Sequence, residues 1–152
     1  MIQRIQTIWL SLCMILAGLM FSGRIMGFTG DAVYELTFRG LAPAVQTGNS
    51  AADNSFMIGA GLLLIIIAAL AAILLYRYRK LQKTAVFAAI AGAVIVCALE
   101  LYYWNLAAKT YNAGMMPHIR MVFPVIIIIL AVLALSGISR DEKIVKSYDR
   151  LR

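Results

Sequence analysis

A short basic stretch, Arg77-Tyr78-Arg79-Lys80-Leu81-Gln82-Lys83, separates two long apolar runs at residues 56–76 and 84–104. Four cations in seven residues cannot be placed in hydrocarbon. If the flanking runs enter a bilayer, both must do so from the side on which this stretch stays. The run at 56–76 carries no formal charge and includes Leu62-Leu63-Leu64-Ile65-Ile66-Ile67. It is long enough to cross a hydrocarbon core of about 30 Å. With 62% apolar and only 14% charged residues, the chain lies outside the range of water-soluble domains.

Two further runs, at 7–23 and 121–138, complete the expected layout. The fold class is an all-α membrane protein: a four-transmembrane-helix antiparallel bundle forming a single domain over 1–152. Spans are expected at about 7–23, 56–76, 84–104 and 121–138. The first run follows a basic residue and so has the outline of a secretory signal, but Phe21 breaks the small-residue pattern of a cleavage site and an uncleaved span is expected. An outer loop at 24–54 contains Val33-Tyr34-Glu35-Leu36-Thr37-Phe38, whose partial alternation fits a short strand or hairpin capping the bundle. A short polar outer connection follows at 105–120. Pro124 suits the first turn of the last span. The spacing Ser139-Arg140-Asp141-Glu142 reads as a capping box that starts a separate short amphipathic helix, with Ile144, Tyr148 and Leu151 on its apolar side. Ten basic residues fall on the side of the 77–83 turn and both termini, against four on the other, which favours cytoplasmic termini in an inner membrane.

Glu100 is the only acidic residue inside an expected span. Counted from Thr84 at ~1.5 Å per residue, it lies roughly 24 Å into the core, toward the outer surface. Ala85, Ala89, Gly92, Val96 and Glu100 share one helical sector, and Phe87, Ile90, Val94 and Leu101 the opposite one. Small residues allow close helix approach, so the first sector is expected to face the bundle. Arg24, Arg120 and His118 reach comparable depth and complete a candidate intramembrane polar cluster. That cluster reads either as an ion pair pinning three spans or as a proton or substrate site of a small oligomeric transporter or channel. On the basic side, Arg4, Arg77, Arg79, Lys80, Lys83, Asp149, Arg150 and Arg152 form a candidate surface for docking a partner or anionic lipid headgroups.

Other chemistry finds no support in the sequence. Gly-x-Ser-x-Gly, Gly-x-x-x-x-Gly-Lys and His-Glu-x-x-His motifs are missing, so no catalytic residue is assigned and a non-enzymatic role is expected. His118 stands alone, and Cys13 and Cys97 lie in different apolar runs without metal-ligand spacing; no metal or cofactor is expected. The charge of +7 follows membrane topology, so the expected partners are the lipid bilayer and a protein partner or second copy, with no nucleic acid.

Three short segments carry a resemblance. The start Met-Ile-Gln-Arg-Ile-Gln-Thr, the pair Phe123-Pro124, and the close Asp141-Glu142-Lys143 with Ser147-Tyr148-Asp149-Arg150-Leu151-Arg152 resemble a family of small four-span membrane proteins from Bacteroidota, domain of unknown function 4293. The resemblance implies inner-membrane location over the whole length. It implies no activity, substrate or catalytic residue.

Overall fold

A computed structural model describes residues 2–29, 33–43, 56–111 and 114–149, with side chains described for 5–29, 33–42, 56–109 and 114–142. Four α-helices and a small sheet alternate along the chain: α1 (Ile2–Phe21), β1 (Met26–Thr29), β2 (Val33–Thr37), β3 (Gly40–Pro43), α2 (Met57–Leu74), α3 (Arg79–Tyr111), β4 (Gly114–Pro117), a 3-10 turn (Ile119–Val122) and α4 (Phe123–Asp149). Among the described residues three helical stretches are long and apolar enough to cross a membrane, Met57–Leu74, Arg79–Lys109 and Ile119–Glu142, and Ile5–Phe21 is a shorter apolar helix.

Each helix buries one stripe of residues spaced alternately three and four apart, the spacing that lets antiparallel helices pack at shallow angles. On α1 the stripe is Gln6, Leu10, Cys13, Ala17 and Met20; on α2 it is Ile58, Leu62, Ile65, Ala69 and Ala72. On α3 it runs Gln82, Val86, Ala89, Ala93, Val96, Glu100, Tyr103 and Ala107, and on α4 Ile127, Ala131, Ala134 and Ile138. Alanine recurs on all four stripes, and small side chains let helices approach closely. Gly61 and Gly92 mark where α2 and α3 come nearest: a Cβ on Gly61 would lie 2.7 Å from Val96 Cγ2, and one on Gly92 would lie 3.4 Å from the Gly61 carbonyl oxygen. The opposite faces stay apolar and exposed, as at Ile8, Ile15, Ile67, Phe87, Val94 and Ile129.

The loops between helices hold more structure than their sequence suggests. The expected hairpin at 33–38 is part of a four-stranded antiparallel sheet in the order β3-β2-β1-β4. A two-residue turn at Phe38-Arg39, closed by Gly40 at φ +106°, joins β2 to β3. The outer edge of β1 is covered by β4, Gly27 standing opposite Met116. Residues 105–120 are therefore not a mere polar connection. Helix α3 continues to Tyr111 because nothing between Asn105 and Tyr111 breaks it, and four of the remaining residues enter the sheet. Leu36 and Met26 are fully buried, so the sheet closes one end of the bundle core.

At the other end two expectations are corrected. The turn between α2 and α3 shrinks to residues 75–78, and Arg79, Lys80 and Lys83 belong to the first turns of α3. Helix α4 runs unbroken through Ser139 to Asp149, so no capping box and no separate C-terminal helix exist there. The reason is local: residues 139–142 contain no helix breaker, and Asp141 and Glu142 reach side chains on α1 and α3 instead of capping.

Candidate functional site

The buried stripes change from apolar to polar at the end carrying the basic turn. On α1 the last buried stripe residue is Gln6, 5% exposed; on α3 it is Gln82, 7% exposed; on α4 the position after Ile138 is Asp141. These groups are expensive to bury without partners, so the bundle must supply them. Gln6 Nε2 donates to Asp141 Oδ2 at 2.5 Å. Gly137 makes this possible, since a Cβ there would stand 3.0 Å from Gln6 Cγ. One turn along, Lys83 forms an ion pair with Glu142, both side chains being about one-quarter exposed (27% and 22%). Two cross-links thus tie α4 to α1 and to α3.

Between these side chains the four helices leave a cavity of about 680 Å³. Gln6, Thr7, Arg79, Gln82 and Asp141 are among its polar lining residues, Ile73 and Ile138 among the apolar ones, and Tyr76 comes from the turn. Arg79 Nη1 is buried and has no hydrogen-bond partner among the described residues. A buried guanidinium nitrogen in that state costs about 1–3 kcal/mol or more. Of the basic surface read from the sequence, Arg77 and Lys80 are exposed, Lys83 is held by Glu142, and Arg79 turns into the cavity. The side chains of Arg4, Asp149, Arg150 and Arg152 lie outside the described residues.

At the sheet end the described contacts of Arg24, Arg120 and His118 run to groups other than Glu100. Arg24 pairs with Glu35 of β2 at 2.5 Å, because the sheet brings Glu35 beside the start of β1. Arg120 reaches back to donate to the Arg24 carbonyl at 3.5 Å. It occupies space that Gly23 leaves open, where a Cβ would fall 2.1 Å from Arg120 Nη1. His118 Nδ1 lies 3.4 Å from its neighbouring Pro117 carbonyl. Glu100 is 4% exposed, on the inward face expected for it, and its Oε1 has no hydrogen-bond partner among the described residues. Cys13 donates to the Ile127 carbonyl at 3.7 Å, and both cysteines are free.

Sequence reasoning passed over Gln6 and Gln82. The available signal was their register: each continues a stripe of core positions, and a polar residue in such a position must meet another polar group or a ligand.

The chain belongs to the family described as Domain of unknown function (DUF4293), matched over residues 2–151. No curated protein matches it.

Proposed function

We propose that this member of a family of unknown function crosses the inner membrane four times, with the basic turn and both termini in the cytoplasm. In this reading it acts as a non-enzymatic accessory or scaffold subunit through helix packing and its cytoplasmic face. Helix α1 is the fourth span: it packs its stripe into the same core and exposes Ile8, Leu12, Ile15 and Leu19 outward. The orientation rests on the ten-to-four excess of basic residues on the side of the turn.

One observation carries the scaffold reading. The Gln6–Asp141 and Lys83–Glu142 contacts join α1, α3 and α4 at the basic end into a fixed surface, from which Arg77 and Lys80 project. A surface held by two cross-links presents its charges in one arrangement, as recognition of a partner requires. Crosslinking at native expression followed by mild-detergent purification tests this. A partner or second copy recovered with the chain is the expected result, and a lone monomer overturns it. Topology has its own test. In a chain lacking Cys13 and Cys97, Lys80→Cys should be shielded from an impermeant maleimide added outside the inner membrane, and Arg39→Cys should be labelled.

Glu100 favours a second reading, a small oligomeric transporter or channel with this carboxylate in its path. A carboxylate 4% exposed inside a helix of spanning length, with one oxygen unpartnered among the described residues, is a costly feature to keep for packing alone. Glu100→Gln should abolish proton- or ion-dependent flux into proteoliposomes. A variant that transports like the original removes this reading.

A further inference from the structure

We infer that the cavity at the basic end is a binding site for one phospholipid of the adjacent leaflet, its phosphate held by Arg79 and an acyl chain lying against the apolar wall. This deepens the reading of that end as the one turned to the cytoplasmic headgroup zone and rests on it.

The cavity is divided by chemistry. Arg79, Gln82, Gln6 and Asp141 bring polar groups to its lining, and Ile8, Ile73 and Leu74 bring apolar ones. Ile8 is 55% and Leu74 68% exposed, so the apolar wall reaches the outer surface of the bundle, where acyl chains would lie. About 680 Å³ falls within the range of pockets that take small-molecule ligands. An amphiphile with a charged head and a hydrocarbon tail matches that division; a fully polar or a fully apolar ligand does not.

Arg79 selects the charge of the head. The basic turn contributes four cations, and the structure gives each a different situation. Lys83 is neutralised by Glu142, and Arg77 and Lys80 stand in solvent. Arg79 alone of the four lines the cavity, with Nη1 buried and unpartnered among the described residues. A guanidinium offers a planar fork of donors that matches phosphate oxygens in pairs, and it cannot relieve its burial by losing a proton. A phosphate oxygen would supply the partner that Arg79 Nη1 lacks among the described residues. Asp141 lines the same cavity and accepts from Gln6 through Oδ2, but no ion pair joins it to Arg79 among the described residues. In a bilayer the abundant anion with an attached hydrocarbon chain is the phospholipid phosphodiester.

The full chain, delipidated in mild detergent, is titrated with dioleoyl phosphatidylglycerol, with dioleoylglycerol as the matched lipid without phosphate, and with inorganic phosphate. Occupancy is read by native mass spectrometry and the unfolding midpoint alongside. Phosphatidylglycerol should bind one to one and raise the midpoint; dioleoylglycerol should not bind. Inorganic phosphate should bind at least about tenfold more weakly, for want of the apolar wall. Arg79→Gln should weaken phosphatidylglycerol binding about tenfold or more, the usual worth of a charge-assisted contact. Arg77→Gln and Lys80→Gln should bind like the original protein. Ile73→Trp, which fills the apolar side without touching a charge, should weaken lipid binding and leave phosphate binding unchanged, and it keeps the test available if Arg79→Gln fails to fold. Equal binding by Arg79→Gln overturns the inference, as does equal loss in Arg77→Gln and Lys80→Gln, or phosphate binding as tight as lipid. These measurements are made in detergent, where topology has no meaning. A reversed orientation in the labelling experiment would thus defeat the functional reading while leaving the lipid site standing, and absent lipid binding would do the opposite.

Discussion

A disulfide between β1 and β4 tests the feature that most changes the picture of this chain, the joining of two separate helix–helix connections into one sheet. Gly27 stands opposite Met116, and a Cβ built on Gly27 would lie 3.5 Å from Met116 Cβ. Disulfides span Cβ separations of about 3.5–4.5 Å, so Gly27→Cys with Met116→Cys should close on mild oxidation without moving the strands. The new Cβ meets only ordinary contacts and Gly27 has no positive φ, so the substitution itself should cost little. Cys13 and Cys97 are first replaced by alanine to remove competing thiols. The closed loop has roughly 90 residues, and the chain-entropy relation gives an upper bound near 4.6 kcal/mol of stabilisation. Native-state strain and residual order in the unfolded chain will reduce that. The assay is mobility on a non-reducing gel, followed by unfolding in mixed detergent micelles with and without reductant. The control pairs Gly27→Cys with Met115→Cys, because Met115 stands opposite Phe28 and its side chain leaves the other face of the sheet. That pair should close far more slowly. Equal rates for the two pairs, or no crosslink in the first, would refute the register and with it the shared sheet.

Three other perturbations have definite expectations. Gly61→Leu should destabilise by about 1–3 kcal/mol, because its Cβ would stand 2.7 Å from Val96 Cγ2 where about 3.5–4.0 Å is needed; Gly18→Leu, with nothing within 4 Å of its Cβ, should stay within about 0.5 kcal/mol in the same micelle unfolding assay. Lys83→Glu or Glu142→Lys alone should each cost about 1 kcal/mol or slightly more, the pair being only partly buried, and the double exchange Lys83→Glu with Glu142→Lys should recover most of it. Gly23→Ala should cost about 1–3 kcal/mol through its φ of +141°, and Arg120→Ala should not rescue it, since the guanidinium is a flexible end that can move aside and the backbone strain remains.

Much of the helical plan could be read directly from residue order. The apolar runs located the helices, and the small-residue sector of the third run placed Glu100 inward, where it is buried with Ala89, Gly92 and Val96. The sheet was legible only in part. Strands β1 and β4 are four residues each, too short for an alternating pattern to stand out, and they pair across most of the chain's length. Local propensity carries no information on such a pairing. The same gap explains the misplaced partner of Arg24: without the sheet, Glu100 is the only carboxylate at its depth, and with the sheet Glu35 stands beside it. At the basic end, charge pattern described which residues must avoid hydrocarbon but not which would turn inward. Arg77, Arg79 and Lys80 are near neighbours in one short segment, yet only Arg79 enters the cavity, because helix α3 starts at that residue and fixes its direction.

The two ends of the bundle are built by different means, and this bears on where binding can occur. At the sheet end the connections are largely backbone to backbone: Ile25 donates to the Leu36 carbonyl at 2.7 Å, Gly59 at the start of α2 donates to the Phe38 carbonyl at 3.0 Å, and β4 closes the edge of β1. Such bonds do not depend on side-chain identity and leave few donors free for a ligand. At the basic end the described links between α4 and its neighbours are side-chain contacts, Gln6 to Asp141 and Lys83 to Glu142, set around a cavity with an unsatisfied guanidinium. Side-chain links between helix ends can lengthen or exchange at a cost of about 1 kcal/mol each, whereas separating paired strands breaks several backbone bonds together. The sheet thus closes one end of the four helices with backbone bonds, while side-chain pairs around a cavity shape the other. Charge and volume coincide at the basic end, and a ligand paired with Arg79 there would add a contact to the two existing cross-links among α1, α3 and α4.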